Sequence, residues 1–252
     1  MSNPLFQFAN LSRFNDISHG INHRSSEEKN NFNMSFDFGD RSDVLANRAR
    51  MMELVGGELQ NLISSYQTHG DHVYVYRTGE PIPNDEIEDF DAFVSDAVGV
   101  GFMVKVADCQ PILLYEPVRS VVGLVHSGWK GSLKNIVGKT VRSMQSEFGA
   151  KPGDIMVGIG PSLGPCCAEF SNPEEELNEE ALHYLQPGNR VDFWALTKAQ
   201  LQSEGVLLQN IETAEICTVC EKDRWFSYRG CDGDEGRFGA ILGLRRRSST
   251  SM

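Results

Sequence analysis

This sequence of 252 residues lacks several features that would place it at a membrane or on a nucleic acid. No apolar run is long enough to cross a bilayer, and residues 1–10 lack the basic and apolar regions of a signal peptide. Acidic residues outnumber basic ones by 35 to 23, which gives a net charge of −12 and argues against a nucleic-acid or anionic-membrane partner. A cytoplasmic location is therefore expected, with small molecules as partners.

The sequence also lacks the two Cys-x-x-Cys pairs that a zinc ribbon requires. A chain of this length needs no disulfide framework, so its six cysteines are expected to be reduced. Cys217 and Cys220 form a Cys-x-x-Cys pair, but a zinc ribbon needs a second such pair, and the sequence has none. We therefore interpret Cys220 as incidental and the adjacent Cys166 and Cys167 as packing residues.

A clear pattern of strands and helices is present, and it is strongest between residues 101 and 149. Residues 101–106, 111–115 and 121–125 are predicted strands, and a helix that begins near Ser132 follows them, with Gly149 as its end. At helical spacing, its apolar face contains Leu133, Ile136, Val137, Thr140, Val141, Met144 and Phe148.

Helices and strands alternate along the rest of the chain. Further helices are predicted at 43–54, 173–185 and 192–204, further strands at 73–76, 155–159, 211–216 and 238–244, and a solvated acidic loop at 79–88. The hairpin-like spacing at 101–125 adds antiparallel pairs, so the predicted fold class is α/β with mixed sheets.

Reactive side chains occur where predicted strands run into turns. Cys109 follows one strand, and His126 comes 17 residues later, at the end of another. The pair could be a thiolate nucleophile with its base, two ligands of a metal, or a buried cysteine and a core histidine. His69, at the edge of the strand 73–76, completes a possible three-ligand site for zinc, and three protein ligands leave a position for water, as in catalytic zinc sites.

At this point the chain resembles a known family, the YfiH-type or laccase-domain family, also called polyphenol oxidoreductases. The resemblance covers roughly residues 19–244. It rests on Gln67-Thr68-His69-Gly70, Ala107-Asp108-Cys109-Gln110-Pro111, His126-Ser127-Gly128-Trp129-Lys130-Gly131, Gly160-Pro161-Ser162-Leu163-Gly164-Pro165-Cys166-Cys167, Phe226-Ser227-Tyr228-Arg229 and Gly236-Arg237.

The resemblance implies a fold and an activity. It implies a single domain with a four-layer α/β/β/α sandwich, which we assign to residues 19–244, after an N-terminal arm (1–18) and before a disordered basic tail (245–252). It also implies zinc on His69, Cys109 and His126, phosphorolysis of adenosine, inosine and methylthioadenosine, and deamination of adenosine. A monomer or weak homodimer is expected.

The site residues follow from the matched motifs. Cys109, His126, His69 and Arg229 are the expected catalytic residues, and Arg229 is also the first candidate for phosphate or substrate binding. Lys130, near a helix N-terminus that attracts anions, is the second candidate. Asp108 and Asn33 are further substrate-site residues, with Asp108 expected to act mainly through hydrogen bonds.

Two alternatives remain open. Cys109 and His126 could form the nucleophile and base of a hydrolase or amidase that acts on cell-wall peptide precursors. Copper at the same three ligands could give a phenol oxidase. A true multicopper oxidase is nearly excluded, because its trinuclear centre needs His-x-His pairs and the six histidines form none.

Overall fold

The structure is a computed structural model that describes residues 4–233 and 236–245. Within these ranges the strands are β1 (Leu5–Phe6), β2 (Ile17–Asn22), β3 (Leu62–Tyr66), β4 (Val73–Tyr76), β5 (Ile87–Glu88), β6 (Ala92–Ser95), β7 (Gly101–Val106), β8 (Gln110–Glu116), β9 (Val121–Ser127), β10 (Met156–Ile159), β11 (Leu185–Gln186), β12 (Arg190–Val191), β13 (Ile211–Thr213) and β14 (Phe238–Leu244). The α-helices are α1 (Arg41–Leu54), α2 (Trp129–Leu133), α3 (Ile136–Phe148), α4 (Pro173–Glu176), α5 (Glu179–Leu182) and α6 (Phe193–Ser203). No helix in these ranges is both long and apolar enough to cross a membrane.

Two mixed sheets of six strands form the centre of the fold. The first has the order β1-β2-β14-β7-β3-β5, and the second has the order β13-β10-β8-β9-β6-β4. In each sheet the middle pairings are antiparallel, as in β7 with β14 and β8 with β9, while β3 and β4 join their neighbours in parallel. The mixed α/β class predicted from the alternating pattern is confirmed.

The strands bury both faces, and this creates four layers. On β8, Leu113 and Tyr115 belong to the core between the two sheets, whereas Ile112 and Leu114 belong to the core shared with α3 and α6. Successive side chains of a strand point to opposite faces, so one strand supplies two cores. On the other side of the molecule, Met51 of α1 packs in a third core over the first sheet. Helix, sheet, sheet and helix therefore stack as the four-layer sandwich that the resemblance implied.

The predicted helix after β9 is interrupted. It begins earlier than expected, at Trp129, and breaks at Asn135, which has a left-handed backbone (φ 54°). The Asn135 side chain then accepts a hydrogen bond from the Gly138 N–H (2.9 Å) and caps α3. Asparagine tolerates the left-handed region and caps helices well, so the apolar spacing continues across a break that periodicity cannot detect.

The prediction of one acidic helix over 173–185 is wrong. Two single-turn helices, α4 and α5, occupy this stretch, and the extended residue Leu177 separates them. Leu177 is buried, and Asn178 starts the second helix by accepting a hydrogen bond from the Ala181 N–H (2.9 Å). Burial of one leucine and a local cap therefore override the helix propensity of the glutamates.

The proposed domain boundaries stay predictions. Strand β2 runs across the boundary placed between residues 18 and 19, and β1 pairs with β2 in an antiparallel arrangement at the edge of the first sheet. Of the basic tail proposed for 245–252, residues 246–252 lie outside the described ranges.

Candidate active site and metal centre

Two of the three candidate ligands lie where the chain passes from one sheet to the other, and the third lies near the end of a strand. His69 is in the connection from β3 in the first sheet to β4 in the second, and Cys109 is in the connection from β7 to β8. His126 is on β9, opposite Pro111 of β8. Two crossings and one strand end therefore bring together residues that are up to 57 positions apart in the sequence (69 to 126).

Both crossing loops use uncommon backbone conformations. His69 (φ 58°) and Asp108 (φ 80°) lie in the left-handed region, which costs free energy for residues other than glycine and is typical of functional loops. Gly128 packs directly against the site, since a Cβ there would lie 2.8 Å from His69 Cδ2 and 3.1 Å from Cys109 Sγ. A glycine is thus required beside the two ligands.

The donor atoms of His69, Cys109 and His126 form a compact group. All three lie within 4.8 Å of one another, and the two imidazole rings meet edge to face with centroids 4.8 Å apart. Two imidazole nitrogens and a thiolate are a donor set that suits zinc, and a fourth position in such a set can take water or substrate. The residues present therefore fit a metal ion.

A buried carboxylate holds this group in place. Asp91 is fully buried and accepts hydrogen bonds from the Gly70 N–H (2.7 Å), the His69 N–H (3.1 Å) and His126 Nδ1 (2.7 Å). The last bond leaves Nε2 of His126 to face the site, and such carboxylate-histidine pairs orient the histidine ligands of metals. Asp91 was not predicted as a site residue; its sequence signals are its place just before a buried strand and the resemblance of residues 91–96 to a segment of the family.

The metal-free group is a thiolate and imidazolium pair. Burial by itself raises the pKa of the Cys109 thiol, but the charge of His126 and hydrogen bonds from His126 and His69 outweigh burial and lower this pKa to about 6. Burial lowers the pKa of His126, whereas the Cys109 thiolate and Asp91 raise it to about 9. Cys109 is therefore reactive, or ready to bind a metal, near neutral pH.

The three candidate ligands line a cavity of about 880 Å³. This volume suits a small organic molecule. Aromatic side chains form part of its wall: Tyr66, Trp129, Phe170, Phe193 and Tyr228. Cationic side chains also line it: Lys105, Lys130, Arg229 and Arg237. An acidic protein thus carries a locally cationic and aromatic cavity.

Asp108, Lys130 and Arg229, predicted from the motifs, all line this cavity. Asp108 accepts hydrogen bonds from Thr218 Oγ1 (2.6 Å), Ser227 Oγ (2.7 Å) and the Arg229 N–H (2.6 Å). Such a network suits a supporting carboxylate more than a proton donor. The guanidinium of Arg229 donates from Nη1 to the carbonyls of Cys167 (2.9 Å) and Glu169 (2.7 Å), so its position is fixed by the backbone.

Asn33 lies behind the wall, and it is not among the described residues that line the cavity. Its Oδ1 accepts hydrogen bonds from the Arg237 N–H (2.7 Å) and the Ser35 N–H (3.0 Å). We therefore expect Asn33 to position Arg237, a cation that the sequence presented only as part of Gly236-Arg237. Lys105 was missed as well, although a lysine within an apolar strand is a visible signal.

His19 and His23 lie apart from the candidate ligands. His19 is on β2, where its Nε2 accepts a hydrogen bond from the Phe8 N–H (3.1 Å), and burial lowers its pKa to about 4. His23 stacks edge to face on Trp225. Neither belongs to a group of possible metal ligands among the residues that the structure describes.

Comparison with known proteins assigns the chain to a family. The family described as multi-copper polyphenol oxidoreductase laccase matches residues 18–245, and the chain belongs to it. The chain is 32% identical over 233 residues to the purine nucleoside phosphorylase YlmD of Geobacillus stearothermophilus, covering 84% of this chain and 83% of that protein. It is 33% identical to mouse purine nucleoside phosphorylase LACC1 over 196 residues, which are 73% of this chain and 44% of the mouse protein.

Solved structures share the fold. The structure of YlmD from Geobacillus stearothermophilus has a TM-score of 0.84 at 28% identity and covers 96% of this chain and 99% of its own. A YfiH protein of Bacillus licheniformis has a TM-score of 0.86 at 24% identity and covers 96% of this chain and 97% of its own, which is a likeness of fold. The YfiH-like sandwich is therefore confirmed.

Proposed function

We propose that this member of the laccase-like polyphenol oxidoreductase family is a zinc-dependent purine nucleoside phosphorylase that acts on adenosine, inosine and methylthioadenosine and also deaminates adenosine. The observation that supports it most is the combination, in one cavity, of a His-Cys-His group with cationic and aromatic walls. Relatives named purine nucleoside phosphorylase, identical to the chain at about one third of the aligned positions, point to the same chemistry.

His69, Cys109 and His126 would hold the metal. When bound there, a zinc ion would polarise an oxygen nucleophile or a substrate oxygen and make it reactive at neutral pH. Asp91 would keep His126 in the tautomer whose Nε2 faces the site. The proposed native metal is zinc, because one thiolate and two imidazoles suit it.

The remaining residues would bind and orient the substrates. Phosphorolysis breaks the bond between the purine and C1′ of the sugar and joins a phosphate oxygen to C1′, so the phosphate must be held beside the sugar. Arg229 and Arg237 approach the cavity from two chain segments, and Lys130 approaches from α2. Three cations at different positions suit an anion with several oxygens. Asp108 and Asn33 would act as positioning residues for Arg229 and Arg237.

The aromatic wall would hold the purine. Trp129 and Phe170 meet edge to face with ring centroids 5.7 Å apart, and Tyr228, which also lines the cavity, is 59% exposed. Flat, partly exposed rings bind nucleobases by stacking. Deamination at C6 of the same base needs water in place of phosphate, which is why one cavity could serve both reactions.

A product assay tests the proposal. Zinc-loaded protein is incubated with adenosine, with and without phosphate, and adenine, inosine and hypoxanthine are separated by chromatography. We expect phosphate-dependent adenine, and inosine that does not depend on phosphate. Both products should disappear in Cys109→Ala and persist in the control Cys231→Ala, whose cysteine is not one of the three ligands. Wild-type protein with stoichiometric zinc and no product would refute the proposal.

One observation favours a second candidate, a Cys-His hydrolase. Cys109, His126 and Asp91 have the order of a catalytic triad, with a depressed thiol pKa and a carboxylate on the far nitrogen of the histidine. Metal content separates the two candidates, because a metal-bound thiolate is a poor nucleophile. A multicopper oxidase does not fit, since the groups of three or more possible metal ligands among the described residues contain two histidines in all, His69 and His126.

A further inference from the structure

A second group of sulfur atoms lies beside the cavity. Cys166 and Cys167 belong to the loop after β10, and Cys217 and Cys220 to the loop after β13. The four sulfur atoms lie within 4.8 Å of one another, with Cys220 Sγ 3.6 Å from Cys166 Sγ and 3.7 Å from Cys167 Sγ. We propose that these four cysteines form a structural zinc site that is separate from the His69, Cys109 and His126 site.

The two sulfur-sulfur distances from Cys220 match those of a tetrahedral metal site, and all four sulfurs lie within 4.8 Å of one another. A zinc-sulfur bond of about 2.3 Å places the corners of a tetrahedron about 3.8 Å apart. The measured separations of 3.6 and 3.7 Å are close to this value. A disulfide would require about 2.05 Å, and all four cysteines are free thiols in the structure. Four thiolates without a fifth ligand are typical of a closed, structural zinc site.

The local backbone allows adjacent cysteines to act together. Cys166 and Cys167 lie in a turn closed by a hydrogen bond from the Cys167 N–H to the Gly164 carbonyl (2.9 Å), so their side chains need not point to opposite faces as they would in a strand. The Gly164 N–H also points at Cys217 Sγ (3.4 Å). An N–H donor stabilises a thiolate and is satisfied whether or not a metal is bound.

The two loops meet because of the sheet topology. Strand β10 pairs with β13 in parallel, so the two segments that follow these strands leave the sheet side by side. An isolated parallel β-bridge joins Ser162 of the first segment to Cys217 of the second. The Thr218 N–H donates to the Ser162 carbonyl (3.1 Å). The Cys217-x-x-Cys220 pair is thus completed by the adjacent cysteines Cys166 and Cys167, about 50 residues upstream (167 to 217). A search for two Cys-x-x-Cys pairs cannot find it.

The proposed zinc would hold one wall of the cavity in place. Thr218, next to Cys217, donates to Asp108, and the carbonyl of Cys167 accepts from the Arg229 guanidinium. A metal bridging these two loops would restrict both Asp108 and Arg229. Its role is structural, and its existence does not depend on the reaction that the cavity catalyses.

Metal analysis of defined variants tests the site. Protein made without a polyhistidine tag and without chelators is analysed for zinc by mass spectrometry. We expect two zinc ions per chain in the wild type, one in Cys109→Ala, and none in Cys109→Ala combined with Cys220→Ser. Cys231→Ser, outside both groups, should keep two. Because the decisive comparison is made in the Cys109→Ala background, it is independent of whether the proposed active-site metal exists.

Thiol labelling of the wild type keeps the test decisive if Cys220→Ser does not fold. Cys166 and Cys220 are solvent-exposed, so without a metal they should react with a maleimide at once. We expect their labelling to be slow until a strong chelator is added, with Cys231 as the internal reference. Immediate labelling without chelator, no zinc in Cys109→Ala, or peptides linked by a disulfide among the four cysteines would each overturn the proposal.

Discussion

Asp91 supports the candidate metal centre without being one of its three candidate ligands. Asp91 is fully buried, yet its pKa lies below the ordinary value, because hydrogen bonds and charge from His126, with the N–H groups of Gly70 and His69, outweigh the cost of burial. One carboxylate therefore holds the His69 loop and the His126 ring at once. Losing its charge should disturb both ligands together.

We predict that Asp91→Asn weakens zinc binding by about 10 to 100-fold, as expected when a carboxylate that orients a histidine ligand is removed. The amide keeps the size of the side chain, but it is uncharged and its nitrogen cannot accept a hydrogen bond. It therefore cannot accept all of the hydrogen bonds that the carboxylate accepts. Competition with a chromophoric chelator measures the affinity. Asp96→Asn is the matched control, since Asp91 directly precedes strand β6, whereas Asp96 directly follows it and is exposed. Equal affinities in the two variants would contradict the role given to Asp91.

The thiol of Cys109 supplies a prediction about pH. In metal-free protein its pKa is about 6, below the ordinary 9, so the thiolate persists as pH falls and is lost only when pH passes below about 6. We expect the rate of Cys109 alkylation by iodoacetamide to rise with pH around a midpoint near 6. Peptide mapping separates Cys109 from the other thiols.

In His126→Gln the imidazolium is removed, and the midpoint of Cys109 alkylation should move upward, toward or beyond 9. The same midpoint in wild type and His126→Gln would show that His126 does not stabilise the thiolate.

At the scale of elements, the segment 79–88 differs most from its sequence-based description. Its charge predicts a solvated loop, but the Glu86 side chain is only 16% exposed and forms ion pairs with Arg48 of α1 and Lys105 of β7. The Arg48 side chain is itself 5% exposed and donates to the Met34 carbonyl (2.7 Å and 2.9 Å). Asn47 and Arg48 of α1 are both buried and face the interior.

We predict that Glu86→Gln lowers the free energy of unfolding by about 2–3 kcal/mol, because two largely buried cations lose their counter-charge. Glu88→Gln, in the same segment but exposed, should change it by less than about 0.5 kcal/mol. Urea unfolding measures both. A loss in Glu86→Gln no larger than that in Glu88→Gln would mean that the loop is a solvated one after all.

Periodicity predicted some elements well and others poorly, for identifiable reasons. Strands β4, β7 and β14 have the expected bounds, because each combines apolar or β-branched residues with polar or glycine-rich flanks. The break at Asn135 and the separation of α4 from α5 depend on one left-handed residue and one buried leucine. Such local features leave the apolar spacing unchanged, so a pattern search passes over them.

For the whole molecule, the alternating pattern predicted the mixed α/β class and the family resemblance implied the four layers, whereas the four-cysteine group depends on the topology. His69, Cys109 and His126 were found because each ends or precedes a predicted strand. The four-cysteine group was missed because it forms only when β13 lies beside β10. This pairing is parallel, and parallel strands are not joined by a short turn that could be recognised in the sequence. Lys105 and Arg237 also depend on the topology. Lys105 is on β7 and Arg237 directly precedes β14, and the antiparallel pairing of these two strands brings both residues to the cavity.

The N-terminal segment is the part of the molecule whose description changes most. The sequence predicts an arm that is either an edge strand or a loose segment; β1 lies at the edge of the first sheet, and Phe8 is completely buried in the core between the sheets. The ring lies so close to β10 that a Cβ on Gly158 would be 2.4 Å from Phe8 Cδ2, and the Phe8 N–H donates to His19 of β2. Phe8 therefore touches both sheets, although it lies outside every predicted strand.

We predict that Phe8→Ala lowers the free energy of unfolding by about 3–5 kcal/mol, the usual cost of emptying a fully buried phenylalanine site. Phe6→Ala is the matched control: Phe6 is a phenylalanine of the same segment on the edge strand β1 and only half-buried, so it should cost clearly less. Urea unfolding followed by fluorescence gives both values. If Phe8→Ala cost less than about 1 kcal/mol, the segment would be a loose arm on a core that is complete without it. A loss in the predicted range would instead make residues near the N-terminus part of what holds the two sheets together, and with them the crossings that carry His69 and Cys109.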